Sequence, residues 1–157
     1  MNLEEQVVKE LLKKQYTITT AESCTGGLLA GRILNVSGAS AVYNEGHITY
    51  SNEAKERILG VSHETLAQFG AVSVQTAGEM AKGAAKYANA DVALSTTGIA
   101  GPGGGTPDKP VGLVYVGCYI KGEVTVEECR FHGERDENRK AAVEAALQLL
   151  SKNLKKN

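Results

Sequence analysis

The segment Tyr16-Thr17-Ile18-Thr19-Thr20-Ala21-Glu22-Ser23-Cys24-Thr25-Gly26-Gly27, running into Leu28–Leu34, changes its secondary-structure signal twice within a short stretch. Residues 16–20 are β-branched and aromatic, which favours a strand. Gly26 and Gly27 interrupt the chain, and an apolar helical pattern resumes from Leu28 to Leu34. A strand, a turn of small residues and a helix in that order point to an α/β domain. Upstream, Leu3, Val7 and Leu11 recur at helical spacing behind Asn2, a candidate cap, with Glu4 and Glu5 in the first turn.

Downstream, two short β-prone stretches between Ala41 and Tyr50 flank Asn44-Glu45-Gly46 and predict a hairpin. Ser51 reads as the cap of a short helix ending at Gly60. Residues 63–69 read as another, stopped by Gly70, and Ser73 as the cap of a longer helix to Ala88 with Glu79, Lys82 and Lys86 on a solvated face. Asp91–Thr97 is a buried-strand candidate. Val111–Ile120 and Val124–Phe131 are joined by Lys121-Gly122-Glu123 as an antiparallel hairpin. Val143, Leu147, Leu150 and Leu154 line one face of a closing helix, and the polar tail Lys155-Lys156-Asn157 is expected to fray. Helices placed between strands, together with consecutive strands, predict a single-domain, three-layer α/β/α sandwich with a mixed sheet.

A chain of 157 residues with 42% hydrophobic and 22% charged residues supports one domain with a real core rather than a disordered or fibrous chain. Seventeen Lys and Arg against eighteen Asp and Glu give a net charge of −1, without the basic excess that polyanion binding requires, so nucleic acid is not an expected partner. Residues 1–14 lack a signal-peptide core and no apolar run reaches membrane-spanning length, which predicts a cytoplasmic protein with no membrane partner. Cys24, Cys118 and Cys129 show no C-x-x-C spacing, and His47, His63 and His132 are scattered. No metal site and no cofactor is expected.

Two segments could carry chemistry. In the first, Ser23 stands where a strand gives way to a helix, and the main-chain N–H groups near Cys24, Thr25, Gly26 and Gly27 could receive an anion or a forming oxyanion. Its bland reading is a helix cap with close-packed glycines. The second segment is Gly98-Ile99-Ala100-Gly101-Pro102-Gly103-Gly104-Gly105, which follows a strand and could wrap a phosphate or ribose. It matches neither a Walker loop nor G-x-G-x-x-G, and its bland reading is a connecting loop. Both lie at predicted C-terminal strand ends, the edge at which open α/β sheets bind ligands.

A serine nucleophile needs a base, and no His lies in either segment, so a lysine is the next choice. A free lysine, with pKa ~10.4, must be desolvated to serve. Spacing alone chooses none, and Lys55, one turn beyond Ser51, reads by itself as a solvated surface residue. Arg135 and Arg139, spaced i,i+4, could clamp a phosphate or simply pair with neighbouring acids. Cys24 is a rival nucleophile, since a thiolate near a helix N-terminus has a lowered pKa.

The segments TAESCTGG (20–27), TYSNEAK (49–55), GAVS (70–73), TGIAGPGG (97–104) and KPVG (109–112) together resemble the CinA C-terminal domain family, in the same order and over essentially the whole chain. The family includes nicotinamide-nucleotide amidohydrolases, which convert nicotinamide mononucleotide and water to nicotinate mononucleotide and ammonia in pyridine nucleotide salvage. The resemblance implies a metal-free Ser–Lys mechanism with Ser23 and Lys55 at the matching positions and Tyr50 as an orienter. It further implies that the pyridine mononucleotide substrate lies against residues 24–27 and against Thr97, Gly98, Gly101, Gly103, Gly104 and Thr106, with Arg135 or Arg139 on its phosphate. Many members carry an additional N-terminal domain, so a stand-alone form is expected here, as is a homodimer or larger homo-oligomer. The alternative for the same crevice is a regulatory module that binds nucleotide without chemistry.

Overall fold

The computed structural model describes residues 1–156; Asn157, part of the tail expected to fray, lies outside them. The chain runs α1 (Leu3–Lys14), β1 (Ile18–Glu22), α2 (Leu28–Leu34), a 3-10 turn (Ala39–Ala41), β2 (His47–Ile48), α3 (Asn52–Leu59), α4 (His63–Phe69), α5 (Val74–Ala88), β3 (Val92–Gly98), β4 (Leu113–Ile120), β5 (Glu123–Arg130) and α6 (Arg135–Leu154). The five strands form one sheet in the order β2-β1-β3-β4-β5. β1 pairs in parallel with β2 and β3, whereas β4 runs antiparallel to both β3 and β5. The sheet is therefore mixed and covered on both faces, as the alternation of elements predicts.

Two cores result from the period-2 alternation of the central strands. Ile18, Val92, Leu94, Val114 and Val116 pack with α1, α2 and α6, contributing Val7, Leu11, Leu29, Ile33, Leu147 and Leu150. On the other face Ala21 and Ala93 meet Leu59, Leu66, Met80, Ala81 and Ala84 of α3, α4 and α5. Small residues dominate this second layer, which lets α5 lie close to the sheet: Ser95 Oγ donates to Ala77 O at 2.7 Å.

Three local expectations are corrected. No hairpin forms between residues 41 and 50. Tyr43 bridges Ile18 in parallel, and His47 and Ile48 pair in parallel with Ala21 and Glu22, so both β-prone stretches serve the edge of β1. Ile18 N donates to Val42 O, and Thr19 Oγ1 donates to Glu45 O, which bonds the segment to β1. Next, β1 ends at Glu22 rather than Thr20, because partners on both sides extend its ladder. Finally, Glu79 is not a purely solvated charge: its carboxylate accepts from Ser62 N at 2.8 Å and Thr65 Oγ1 at 2.6 Å at the start of α4.

Candidate active site

Parallel pairing of β1 with β3 brings their C-terminal ends side by side, and the chain beyond each end forms the floor of a cleft. Strand alternation sorts the first two groups there. Glu22 points to the α2 layer, and Ser23, whose N–H donates to Thr96 O at 3.0 Å, follows on the α3 side. Ser23 is 8% exposed.

On α3, the Ser51 hydroxyl accepts from Ala54 N at 3.1 Å and starts the helix where its sequence places the cap. Lys55 and Leu59, one turn apart, are the buried residues of this helix. Lys55 is 1% exposed, so the solvated reading that its isolated spacing suggested is corrected. Its Nζ donates to Ser23 Oγ at 3.1 Å and to Thr49 O at 2.8 Å. Both hydrogen-bond partners are uncharged, and desolvation lowers the Lys55 pKa from 10.5 to about 8, with Cys24 acting in the opposite direction. The same burial moves Cys24 the other way, pushing its thiol up to about 11. A protonated thiol at neutral pH is a poor nucleophile, so the helix-end argument for a Cys24 thiolate is overturned by desolvation.

The turn from β1 to α2 is gripped from both sides. Glu22, 1% exposed, accepts from Thr25 Oγ1 at 2.5 Å, Leu29 N at 2.9 Å and Ala30 N at 3.0 Å. The α2 N-terminus is thus occupied by the protein's own carboxylate. From the other side Arg139 Nε donates to Cys24 O at 2.9 Å and Nη2 to Thr25 O at 3.1 Å. Gly26 and Gly27 take φ of +54° and +103°, which residues with a Cβ adopt rarely. Thr25 Oγ1 also lies 2.7 Å from Thr96 Oγ1, locking the turn to β3.

A cleft of about 250 Å³ opens over Ser23, Cys24 and Lys55, walled by Thr97, Gly98 and Ala71 with Tyr50 and Arg135 among its lining. Arg135 donates through Nη1 to Gly101 O at 2.7 Å and through Nη2 to the Tyr50 hydroxyl at 3.4 Å. Tyr50 is 66% exposed and hydrogen-bonds Arg135 rather than Ser23 or Lys55. Thr97 donates its hydroxyl to Ala71 O at 2.8 Å. The structure therefore brings together Ser23, Cys24, Lys55, Tyr50, Thr97, Gly98 and Arg135. Thr25, Gly26 and Gly27 build the turn behind Ser23, and Gly101 holds Arg135. Gly103, Gly104 and Thr106 are exposed and do not line the cleft; Thr106 Oγ1 instead accepts from Lys109 N at 3.0 Å.

Two residues the sequence analysis passed over support this arrangement. Glu22 carries a readable signal, because counting alternately from Ile18 puts an acid at an inward strand position. Asn138, 1% exposed, shares a face of α6 with Ala142 and Ala146; its Nδ2 donates to Ala100 O and Gly133 O, both at 3.0 Å. A polar residue in line with an apolar stripe marks such a tether. Among the described residues no three His, Cys, Asp or Glu side chains converge, and no helix is long and apolar enough to cross a membrane.

Comparison with known proteins agrees with this architecture. The CinA C-terminal domain family profile matches residues 1–154. A CinA-like protein of Kosmotoga olearia is 56% identical over 153 residues, covering 98% of this chain and 37% of that protein. The chain spans 37–38% of the length of such curated relatives. Among solved structures, a competence-damaged protein (CinA) superfamily protein from Klebsiella pneumoniae superposes with a TM-score of 0.95 at 36% identity, over 99% of this chain and 97% of that one. A competence/damage inducible protein from Agrobacterium tumefaciens gives a TM-score of 0.88 at 44% identity, over 96% of this chain and 94% of that one.

Proposed function

This chain belongs to the CinA C-terminal domain family, and from that premise and the buried Ser23–Lys55 contact we propose that it hydrolyses the carboxamide of nicotinamide mononucleotide to nicotinate mononucleotide and ammonia. The observation that carries the reading is a lysine nitrogen 3.1 Å from a serine hydroxyl, sheltered from water and shifted to a pKa of about 8. At neutral pH a useful fraction of such an amine is unprotonated, which an exposed lysine does not offer.

In the first half-reaction neutral Lys55 takes the Ser23 hydroxyl proton as Oγ attacks the carboxamide carbon. Negative charge moves to the former carbonyl oxygen, where main-chain N–H groups of Cys24 and Thr25 receive it. The Lys55 ammonium then returns its proton to the departing nitrogen, the C–N bond breaks, ammonia leaves and Ser23 holds the nicotinoyl ester. In the second half-reaction Lys55 deprotonates water, which attacks the ester carbon. Collapse releases the carboxylate, and the proton returns from Lys55 to Ser23 Oγ. Thr49 O, accepting from Nζ at 2.8 Å, holds the amine so that its lone pair faces Ser23. Arg135, the charged group at the cleft mouth, meets the ribose phosphate, and the protein works as a homo-oligomer.

The test is ammonia release across a panel of pyridine nucleotides and simple amides, with wild type and Ser23→Ala side by side. Release by wild type with loss of about 10⁴-fold or more in Ser23→Ala supports the reading. Nucleotide binding without ammonia from wild type overturns it in favour of a ligand-binding regulatory role.

A further inference from the structure

Arg139 shares helix α6 with Arg135, and an i,i+4 pair of arginines near a nucleotide cleft invites the reading of a joint phosphate clamp. Its hydrogen bonds point elsewhere. Arg139 does not line the cleft, and both of its bonded nitrogens are spent on the carbonyls of Cys24 and Thr25. The planar guanidinium presents its donors in a rigid fork, which suits two neighbouring acceptors held at fixed separation.

Those carbonyls matter because of peptide geometry. In a planar trans peptide the C=O and the next residue's N–H point in opposite directions, so pinning one aims the other. The bond from Arg139 Nε to Cys24 O sets the direction of Thr25 N–H. The bond from Nη2 to Thr25 O, which also accepts from Leu28 N at 3.0 Å, helps set that of Gly26 N–H, which donates to Ser23 O at 3.2 Å. Ser23 O in turn sets the direction of Cys24 N–H. Arg139 therefore acts on successive peptide planes of a turn that contains two left-handed glycines, sharing Thr25 O with the Leu28 N–H and holding Cys24 O, and with it the Thr25 N–H direction, from α6. Glu22 cannot substitute, because it holds donors further along, at Thr25 Oγ1, Leu29 and Ala30.

We infer that Arg139 is a positioning residue for the Ser23 chemistry: reaching from α6, it aims the Cys24 and Thr25 N–H groups that receive the oxyanion, and it takes no part in holding phosphate. The inference rests on the hydrolase reading of Ser23. It assigns the two arginines different tasks, Arg135 to the substrate and Arg139 to the enzyme's own backbone. Its loss weakens transition-state stabilisation and leaves substrate affinity and the Lys55 ionisation in place.

Wild type, Arg139→Ala, Arg139→Lys and Arg135→Ala are compared in two assays: ammonia release from nicotinamide mononucleotide, and labelling of Ser23 by a fluorophosphonate followed by intact mass. In the second the Oγ–P bond forms, the P–F bond breaks, fluoride leaves and the serine proton passes to Lys55, with no pyridine needed. Arg139→Ala is expected to lower kcat by about 10²-fold with KM within about 3-fold of wild type, to keep the wild-type pH midpoint, and to slow labelling in parallel. Arg139→Lys, which keeps the charge without the fork, is expected to fall between. Arg135→Ala is expected to raise KM instead. Higher KM with unchanged kcat in Arg139→Ala, or labelling at the wild-type rate, overturns the inference. Wild type that labels at Ser23 yet releases no ammonia sinks only the nicotinamide mononucleotide reading, and the labelling rates then decide on Arg139. Wild type that takes no label at Ser23 overturns both. Should Arg139→Ala lack a cooperative melt, Arg139→Lys decides by the same readouts.

Discussion

Lys55 concentrates the cost and the use of this site in one side chain. Burial with only a hydroxyl and a carbonyl as partners disfavours its charged form and brings its pKa to about 8. If the neutral amine is the base, kcat/KM rises with pH, about tenfold per unit below the midpoint and level above about 8. A pH–rate profile of wild type reads this directly; an acid limb with its midpoint near neutrality or below would contradict it. Stability follows the same group with a definite sign. Between about 8 and 10.5 the unfolded chain holds a proton on Lys55 that the folded one does not, so that residue makes stability increase with pH across the window, and its penalty is fully present below it. Lys55→Met is therefore expected to abolish turnover yet melt higher than wild type at neutral pH, each kcal/mol moving Tm by about 2–4 °C. That advantage should close as pH climbs through the window, which paired melts measure.

At the scale of elements, helix starts and the antiparallel β4–β5 hairpin were legible, and the strand partner of residues 41–50 was not. Asn2, Ser51 and Ser73 each cap the helix expected of them, accepting from Glu5 N, Ala54 N and Thr76 N, because a cap is decided within three residues. The stretch 41–50 carried a turn signal as well, but whether its two flanks pair with each other or with β1 depends on what the rest of the sheet leaves open. Helix α2 shows the limit from the other side. Its N-cap Gly27 offers no side chain, and the acceptor for its amides is Glu22 on the preceding strand. Glu22→Ala strands the Leu29 and Ala30 N–H groups in a buried environment and is expected to cost about 3 kcal/mol or more in urea unfolding, with Glu22→Gln, which keeps an acceptor, losing less. Equal and small losses in both would show that water satisfies these amides.

For the molecule as a whole, the site exists because two helical layers close on one sheet edge: α3 supplies Lys55 from one face while α2 and α6 brace the Ser23 turn from the other. The seat of α3 is set by its contact with α5, where a Cβ on Gly83 would run into the Leu59 carbonyl. Gly83→Ala is therefore expected to push α3 outward, costing about 1–3 kcal/mol of stability and also lowering kcat through a displaced Lys55. Chemical denaturation alongside the ammonia assay separates the two effects, and an unchanged kcat would mean that α3 is anchored elsewhere. By itself the sequence determined the order of helices and strands, the caps at Asn2, Ser51 and Ser73, the mixed sheet and the two glycine-bearing segments, since these follow from propensities and side-chain bonds acting over a few residues. Only the tertiary structure decided that Lys55 is dry and beside Ser23, that Glu22 closes the end of α2, and that Arg139 turns from solvent to the backbone of a distant turn. Desolvation and partner geometry belong to the packed layers, and no residue's neighbours in the chain specify them.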